Sequence, residues 1–271
     1  MDVPVFSTSP DPTCMYQTPA IKAALTKIRR AIARKQGLSC IFGDVGMGKS
    51  SLLRFILSGY AADENCRLAF LPTGDMPSTF AFIKRVSADF DIPPQRSRLA
   101  QMDMIEQFLL EQHGAGKSVL ILIDEAQLLS LDDLEAIRSL LNYETNTEKM
   151  TQIILSGQLD LRDRLEQKRY KAFRNRIVAP VLMQPLTREE TTAMIAYRLD
   201  FWGVENPFTE AAANRVWELT LGVPRTILLT CQYAYDIAHD SGVTEITPRF
   251  VERGFDELAI REKAEAEAAV A

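Results

Sequence analysis

The apolar pentapeptide Leu38 to Phe42 runs directly into Gly43-Asp-Val-Gly-Met-Gly48-Lys49-Ser50, and a helix-forming stretch, Lys49 to Tyr60, follows at once. The spacing G-x-x-x-x-G-K-S between a strand and a helix admits few folds. Its glycines let the backbone turn tightly enough for successive N–H groups to face one anion, and the helix N-terminus adds roughly half a positive charge. Gly43, Asp44, Val45, Gly46, Met47, Gly48, Lys49, Ser50 and Ser51 therefore form the predicted phosphate cradle. Lys49 is expected to reach the β- and γ-phosphates and Ser50 to offer its hydroxyl to a metal, so ATP and Mg2+ are the ligands implied.

A second segment completes that chemistry. Val119 to Ile123 is an apolar run ending in Asp124-Glu125. A buried strand carries no charge until its carboxyl end, which is where open α/β sheets bind ligands. Asp124 is the predicted Mg2+ ligand, directly or through water, and Glu125 the group that orients and polarises an attacking water.

Short apolar or β-rich runs at Leu38 to Phe42, Arg67 to Leu71, Val119 to Ile123, Gln152 to Leu155 and Ile177 to Leu182 alternate with helical patterns. These helices are Pro19 to Lys35, Lys49 to Tyr60, Pro77 to Phe90, Ala100 to His113, Leu131 to Asn142 and Leu159 to Gln167. The alternation predicts an α/β domain with a parallel sheet and helices on both faces. Strand signals stop after Gln184. Helices at Arg188 to Trp202, Glu210 to Leu219, Pro224 to Ser241 and Pro248 to Ala266 then predict a small all-α domain, giving 1–184 and 185–271 as the two parts. The Ala/Glu-rich tail Glu262 to Ala271 reads as a frayed helix end or a disordered terminus.

A chain of 271 residues, 46% hydrophobic and 25% charged, has the composition of a soluble globular protein. No apolar run is long enough to span a bilayer, and the opening MDVPVFSTSPDP lacks the basic start and apolar stretch of a signal peptide, so a cytoplasmic protein without a membrane partner is expected. Four scattered cysteines and two histidines indicate neither a disulfide framework nor a zinc site. A net charge of -5 makes nucleic-acid binding, if it occurs, the property of a local basic stripe.

Glu125 directly after Asp124, followed by Ala126-Gln127, resembles the AAA+ branch of P-loop ATPases. The resemblance implies an AAA+ sheet with the all-α part as a lid. It further implies a polar sensor touching the γ-phosphate or the water, for which Ser156 and Gln158 both qualify, although either also suits a helix cap. Arg225, in Gly222-Val223-Pro224-Arg225, looks like the lid arginine that reaches back to the nucleotide, and the same segment also reads as an ordinary helix start. The basic run Arg162, Arg164, Lys168, Arg169, Lys171, Arg174, Arg176 occupies the zone that supplies an arginine finger to a neighbouring subunit of a homo-oligomer. Arg174 and Arg176 are the candidates there, a solvated basic face being the alternative.

The likeness narrows further. Phe6 to Tyr16 with its Pro10-Asp-Pro, Asp-Glu-Ala-Gln, Ser-Gly-Gln-Leu, Phe173-Arg-Asn-Arg-Ile and Gly-Val-Pro-Arg together resemble the ExeA (general secretion pathway protein A) ATPase domain over nearly the whole chain. That resemblance places Tyr16 near the adenine, or else makes it a packing aromatic. Secretion-type members continue into a membrane span and a peptidoglycan-binding portion, whereas this sequence ends after the helical part, so the build is also similar to the TniB, TnsC, MuB and IstB transposition regulators. These form ATP-dependent rings or helical filaments on duplex DNA and recruit a transposase or target-selection protein. On that resemblance Lys84, Arg85, Arg96, Ser97 and Arg98 are the candidate DNA contacts, sequence-indifferent because no sequence-reading module is present; they are otherwise ordinary surface cations. The alternative is an ATPase that acts on protein partners without DNA.

Overall fold

The computed structural model describes residues 5–270, with side chains described for 5–260. It divides into two compact units.

The first unit holds residues 19–45 and 49–183. Its elements run α1 (Pro19–Ala33), β1 (Leu38–Phe42), α2 (Lys49–Ala61), β2 (Cys66–Leu71), α3 (Thr79–Asp89), α4 (Arg98–Gly114), β3 (Ser118–Ile123), α5 (Leu131–Leu140), β4 (Thr151–Gly157), α6 (Leu159–Glu166), α7 (Lys171–Arg174) and β5 (Ile177–Leu182). The five strands pair in the order β2-β3-β4-β1-β5, with every named pair parallel. β1 and β4 are buried at every position and β3 at all but its first, the pattern of strands covered on both faces.

Chain order and sheet order differ at one decisive place. β4 lies between β1 and β3, with Ile41 opposite Ser156 on one side and Ile123 opposite Leu155 on the other. The carboxyl ends of three strands thus meet at one edge of the sheet, and that edge carries the phosphate loop, Asp124 and Ser156. β5 closes the sheet as an edge strand whose alternate residues Val178, Pro180 and Leu182 face outward, and a proline is tolerated there because an edge position spares one ladder bond. Lys27 of α1 donates to the Pro180 carbonyl across that edge.

The second unit holds residues 5–18, 46–48 and 184 onward, with α8 (Arg188–Phe201), α9 (Glu210–Thr220), α10 (Pro224–Asp240) and α11 (Pro248–Val270). Its core gathers Ile195, Leu199, Val216, Ile227, Cys231 and Val251 from these helices, with Leu186 from the segment before α8. Gly222 is indispensable to the chain path: its φ is +77°, and a Cβ there would stand 2.1 Å from the Leu186 carbonyl oxygen. The backbone of the tail is helical to Val270 as the end of α11, while its side chains from 261, and Ala271 altogether, lie outside the described residues.

The N-terminal segment departs from the expected division at 184. Residues 5–18 group with the helical unit because Phe6 is buried in its core, packed edge-on against Phe208 with ring centroids 5.8 Å apart, its N–H donating to Gln232 Oε1 at 3.2 Å. Arg198 reinforces the attachment by donating to the Ser7 carbonyl at 2.8 Å and to Cys14 Sγ at 3.0 Å. A sequence pattern does not show this, because a single aromatic in an irregular segment has no period. Phe6→Ala is expected to cost about 3–5 kcal/mol in the stability of the helical unit, measured by urea denaturation; a loss under about 1 kcal/mol would mean that the segment is not part of the core.

Candidate functional site

The cradle begins where β1 ends. Gly46 and Gly48 have φ of +81° and +83°, values that favour glycine, and α2 opens at Lys49 with no acid in its first turn to oppose an anion. Lys49 is only 7% exposed and its Nζ donates to the Gly43 and Asp44 carbonyls, both at 2.9 Å. An ammonium has three donors, so one remains for a phosphate oxygen. Burial holds this ammonium below its ordinary range, against the opposing pull of the Glu125, Asp124, Asp44 and Asp160 carboxylates.

Asp124 sits at the end of β3, 7% exposed. Its Oδ1 accepts the Ser156 hydroxyl at 2.8 Å and the Glu125 N–H at 3.0 Å. Its Oδ2 has no hydrogen-bond partner among the described residues. The acid is thus fixed by one oxygen and presents the other. Mg2+ takes one or two protein oxygens and otherwise phosphate and water; a serine hydroxyl at the start of α2 and one oriented carboxylate fit that donor set, and Ser50 and Asp124 are the residues that would hold it.

Glu125 follows with φ +49° and ψ +40°, a left-handed conformation that costs a residue with a Cβ about 1–2 kcal/mol. The turn redirects its side chain after the buried strand, and Gln127 Nε2 donates to its Oε2. The two sensor candidates separate. Ser156 is fully buried and commits its hydroxyl to Asp124, whereas Gln158 is partly exposed at the start of α6, with no side-chain cap bond.

Other predicted residues are more dispersed. Arg174 donates to the Glu166 carbonyl at 3.2 Å and pairs with the Glu166 carboxylate, while the Arg176 side chain makes no hydrogen bond or ion pair among the described residues. Arg225 is exposed in the first turn of α10; its N–H donates to the Gly46 carbonyl at 3.1 Å within the helical unit. Tyr16 packs against Tyr197 of α8, centroids 5.5 Å apart, an arrangement that supplies the packing reading. Of the DNA candidates, Lys84 lies over the Phe80 ring, Arg85 pairs with Asp89 one turn on, and the Ser97 hydroxyl caps α4 by accepting the Ala100 N–H at 3.2 Å. The side chains of Arg96 and Arg98 are exposed, with no hydrogen bond or ion pair among the described residues.

Sequence reasoning named Gln127 only as part of a motif and Arg164 only as one of a basic run. Both are built into the site: Arg164 Nη1 donates to the Gln127 carbonyl at 3.1 Å, and Gln127 Oε1 accepts the Gln158 N–H at 3.2 Å. The signal for Gln127 was its place two residues after Glu125. Arg164 carried none, since burial of one cation in a basic run is set by packing.

A protein-family model described as "AAA domain" matches residues 31–165. General secretion pathway protein A of Aeromonas hydrophila is 30% identical over 246 residues, 90% of this chain and 44% of that protein. The chain therefore spans less than half the length of that relative. Among solved structures, Cdc6p from Pyrobaculum aerophilum superposes with a TM-score of 0.72 at 16% identity, covering 95% of this chain and 71% of its own. Drosophila ORC bound to DNA gives 0.70 at 16% identity over 97% and 66%. These likenesses fix the fold as the P-loop AAA+ parallel sheet flanked by helices. Among the described residues no helix is long and apolar enough to cross a membrane.

Lys49→Met is expected to remove the rise in Tm that saturating nucleotide gives the wild type. A ligand at 100 times its Kd contributes about 2.7 kcal/mol, roughly 5–10 °C for a chain of this size. Thermal unfolding with and without ADP checks this; an undiminished shift in the variant would remove Lys49 from the cradle.

Proposed function

We propose that this chain binds and hydrolyses Mg-ATP within a homo-oligomer, and that the nucleotide controls its assembly on duplex DNA. The observation that supports hydrolysis most strongly is the junction of β1, β4 and β3, where Lys49, Asp124, Glu125 and Ser156 stand at one sheet edge. In this reading the 43–51 loop and Lys49 bind the triphosphate, Ser50 and Asp124 hold Mg2+, and Ser156 keeps Asp124 oriented. Bound Mg2+ would neutralise charge on the β- and γ-phosphates. Glu125 accepts the proton of the water that attacks the γ-phosphorus, and ADP leaves as the bond to the β-phosphate oxygen breaks.

Gln158, with its side-chain amide uncommitted, serves as the sensor, Arg225 of the lid (residues 185–271) as the residue answering to the nucleotide, and Arg176, unpaired, as the finger for a neighbouring subunit. Tyr16 is assigned a packing role against Tyr197. Assembly on DNA rests on Arg96 and Arg98, exposed cations at the start of α4 with no internal partner. Repetition through an oligomer turns such modest phosphate contacts into useful affinity, and a transposase or target-selection protein is the partner this reading implies. The ExeA-like likeness over 90% of the chain favours a second reading, in which the same ATPase acts on a protein partner without DNA.

Electron microscopy with a slowly hydrolysed ATP analogue separates the two. The DNA reading expects rings or filaments that require duplex DNA and are lost in Arg96→Glu/Arg98→Glu while nucleotide binding persists; assembly indifferent to DNA would transfer the assignment to the protein partner. Glu125→Gln is expected to slow hydrolysis by about 10²–10⁴-fold with ATP still bound. Turnover at the wild-type rate would show that Glu125 is not the base.

A further inference from the structure

Gln127 lies in the single 3-10 turn Ala126–Leu128 that follows Glu125, and it is held at three points. Its Nε2 donates to Glu125 Oε2, its Oε1 accepts the Gln158 N–H, and its main-chain carbonyl accepts Arg164 Nη1 from α6. One face of the amide meets a carboxylate and the other an N–H, so only one flip of the amide satisfies both partners. The turn packs directly on the end of β4: a Cβ at Gly157 would touch Gln127 N and Oε1 at 3.4 Å and crowd Leu161 Cδ2 at 2.6 Å.

Arg164 is unusual among the cations of its run. Its Nε and Nη2 are buried without a hydrogen-bond partner, and its guanidinium lies 5.8 Å from the Tyr170 ring centroid. Burying donors without partners opposes stability, so this side chain is not a solvated face. Its one bond goes to the residue that holds Glu125.

From this geometry we infer that Gln127 is a positioning residue for hydrolysis: it fixes the Glu125 carboxylate and ties that orientation to Gln158 at the end of β4, with Arg164 anchoring the turn. The inference rests on Glu125 being the base. A carboxylate carried on a left-handed residue after a rigid strand has free χ angles, and a general base must hold its oxygen within hydrogen-bond reach of one water. The Gln127 amide removes that freedom. Because the same amide also binds Gln158, a shift of Gln158 in response to the γ-phosphate is transmitted to Glu125 through one rigid planar group.

The test is a double-mutant cycle measured by single-turnover ATP hydrolysis, with ADP affinity and Tm as controls. Gln127→Met keeps the side-chain volume and removes both amide bonds. It is expected to lower the hydrolysis rate about 5- to 100-fold with ADP affinity within about twofold. In the Glu125→Gln background the same change is expected to have almost no further effect, because the group it positions is already disabled. An unchanged or raised rate in Gln127→Met, or an equal fall in both backgrounds, overturns the proposal. Should Gln127→Met unfold, Gln127→Asn, whose amide is too short to span both partners, gives the same reading. The two possible failures are distinct: wild-type turnover in Glu125→Gln sinks the base assignment itself, whereas a slow Glu125→Gln with a normal Gln127→Met sinks only the role of Gln127.

Discussion

The buried hydrogen bond from Ser156 to Asp124 depends on one topological fact, the insertion of β4 between β1 and β3. Without that insertion the strand ending in the phosphate loop and the strand ending in two acids would be neighbours, and nothing would stand between lysine and aspartate. With it, a third strand delivers a hydroxyl to one oxygen of Asp124 and leaves the other free. The order of strands in the sheet thus sets the chemistry of the site, since it decides which carboxyl ends, where open α/β sheets bind ligands, stand side by side.

Charge is managed locally. Lys49 is nearly buried, with four carboxylates pulling on its charge and two carbonyls accepting its N–H groups, so the cation is held in place by the chain itself. Glu125 stands in a strained backbone conformation, a cost that functional residues bear when the surrounding structure over-determines them. Away from the site several cations are paired: Lys35 with Glu148, Arg85 with Asp89, Arg174 with Glu166 and Arg215 with Glu252. The exposed Arg96 and Arg98 are among the cations that no carboxylate pairs with among the described residues, as are Lys22, Arg30, Arg34 and Arg54.

The elements were legible in the sequence wherever burial writes a period. β1 and β5 fall on the runs Leu38 to Phe42 and Ile177 to Leu182, and α1 to α6 and α8 to α10 lie within two residues of the expected helices. Short single turns such as 168–170 and 171–174 were not foreseen, because three or four residues are too few to show a period. The phosphate loop and Asp124-Glu125 were legible because their chemistry demands fixed residue types at fixed spacing. Strand order was not, since any parallel arrangement buries the same apolar runs. Nor were the placement of Phe6 in the helical unit, the burial of Arg164 or the bridging amide of Gln127, each of which depends on residues distant in sequence meeting in space.

The central claim, that a sheet edge fixed by Ser156 presents Asp124 to a metal required for ATP hydrolysis, is tested most directly by the Mg2+-dependent ATPase rate of Asp124→Asn. The substitution keeps the side-chain shape, and its carbonyl oxygen can still accept the Ser156 hydroxyl, but it removes the negative charge. Loss of Mg2+-stimulated hydrolysis by at least about 10²-fold, with metal-free nucleotide binding retained, is the result the account predicts. Turnover within about threefold of wild type at the same Mg2+ concentration would contradict it.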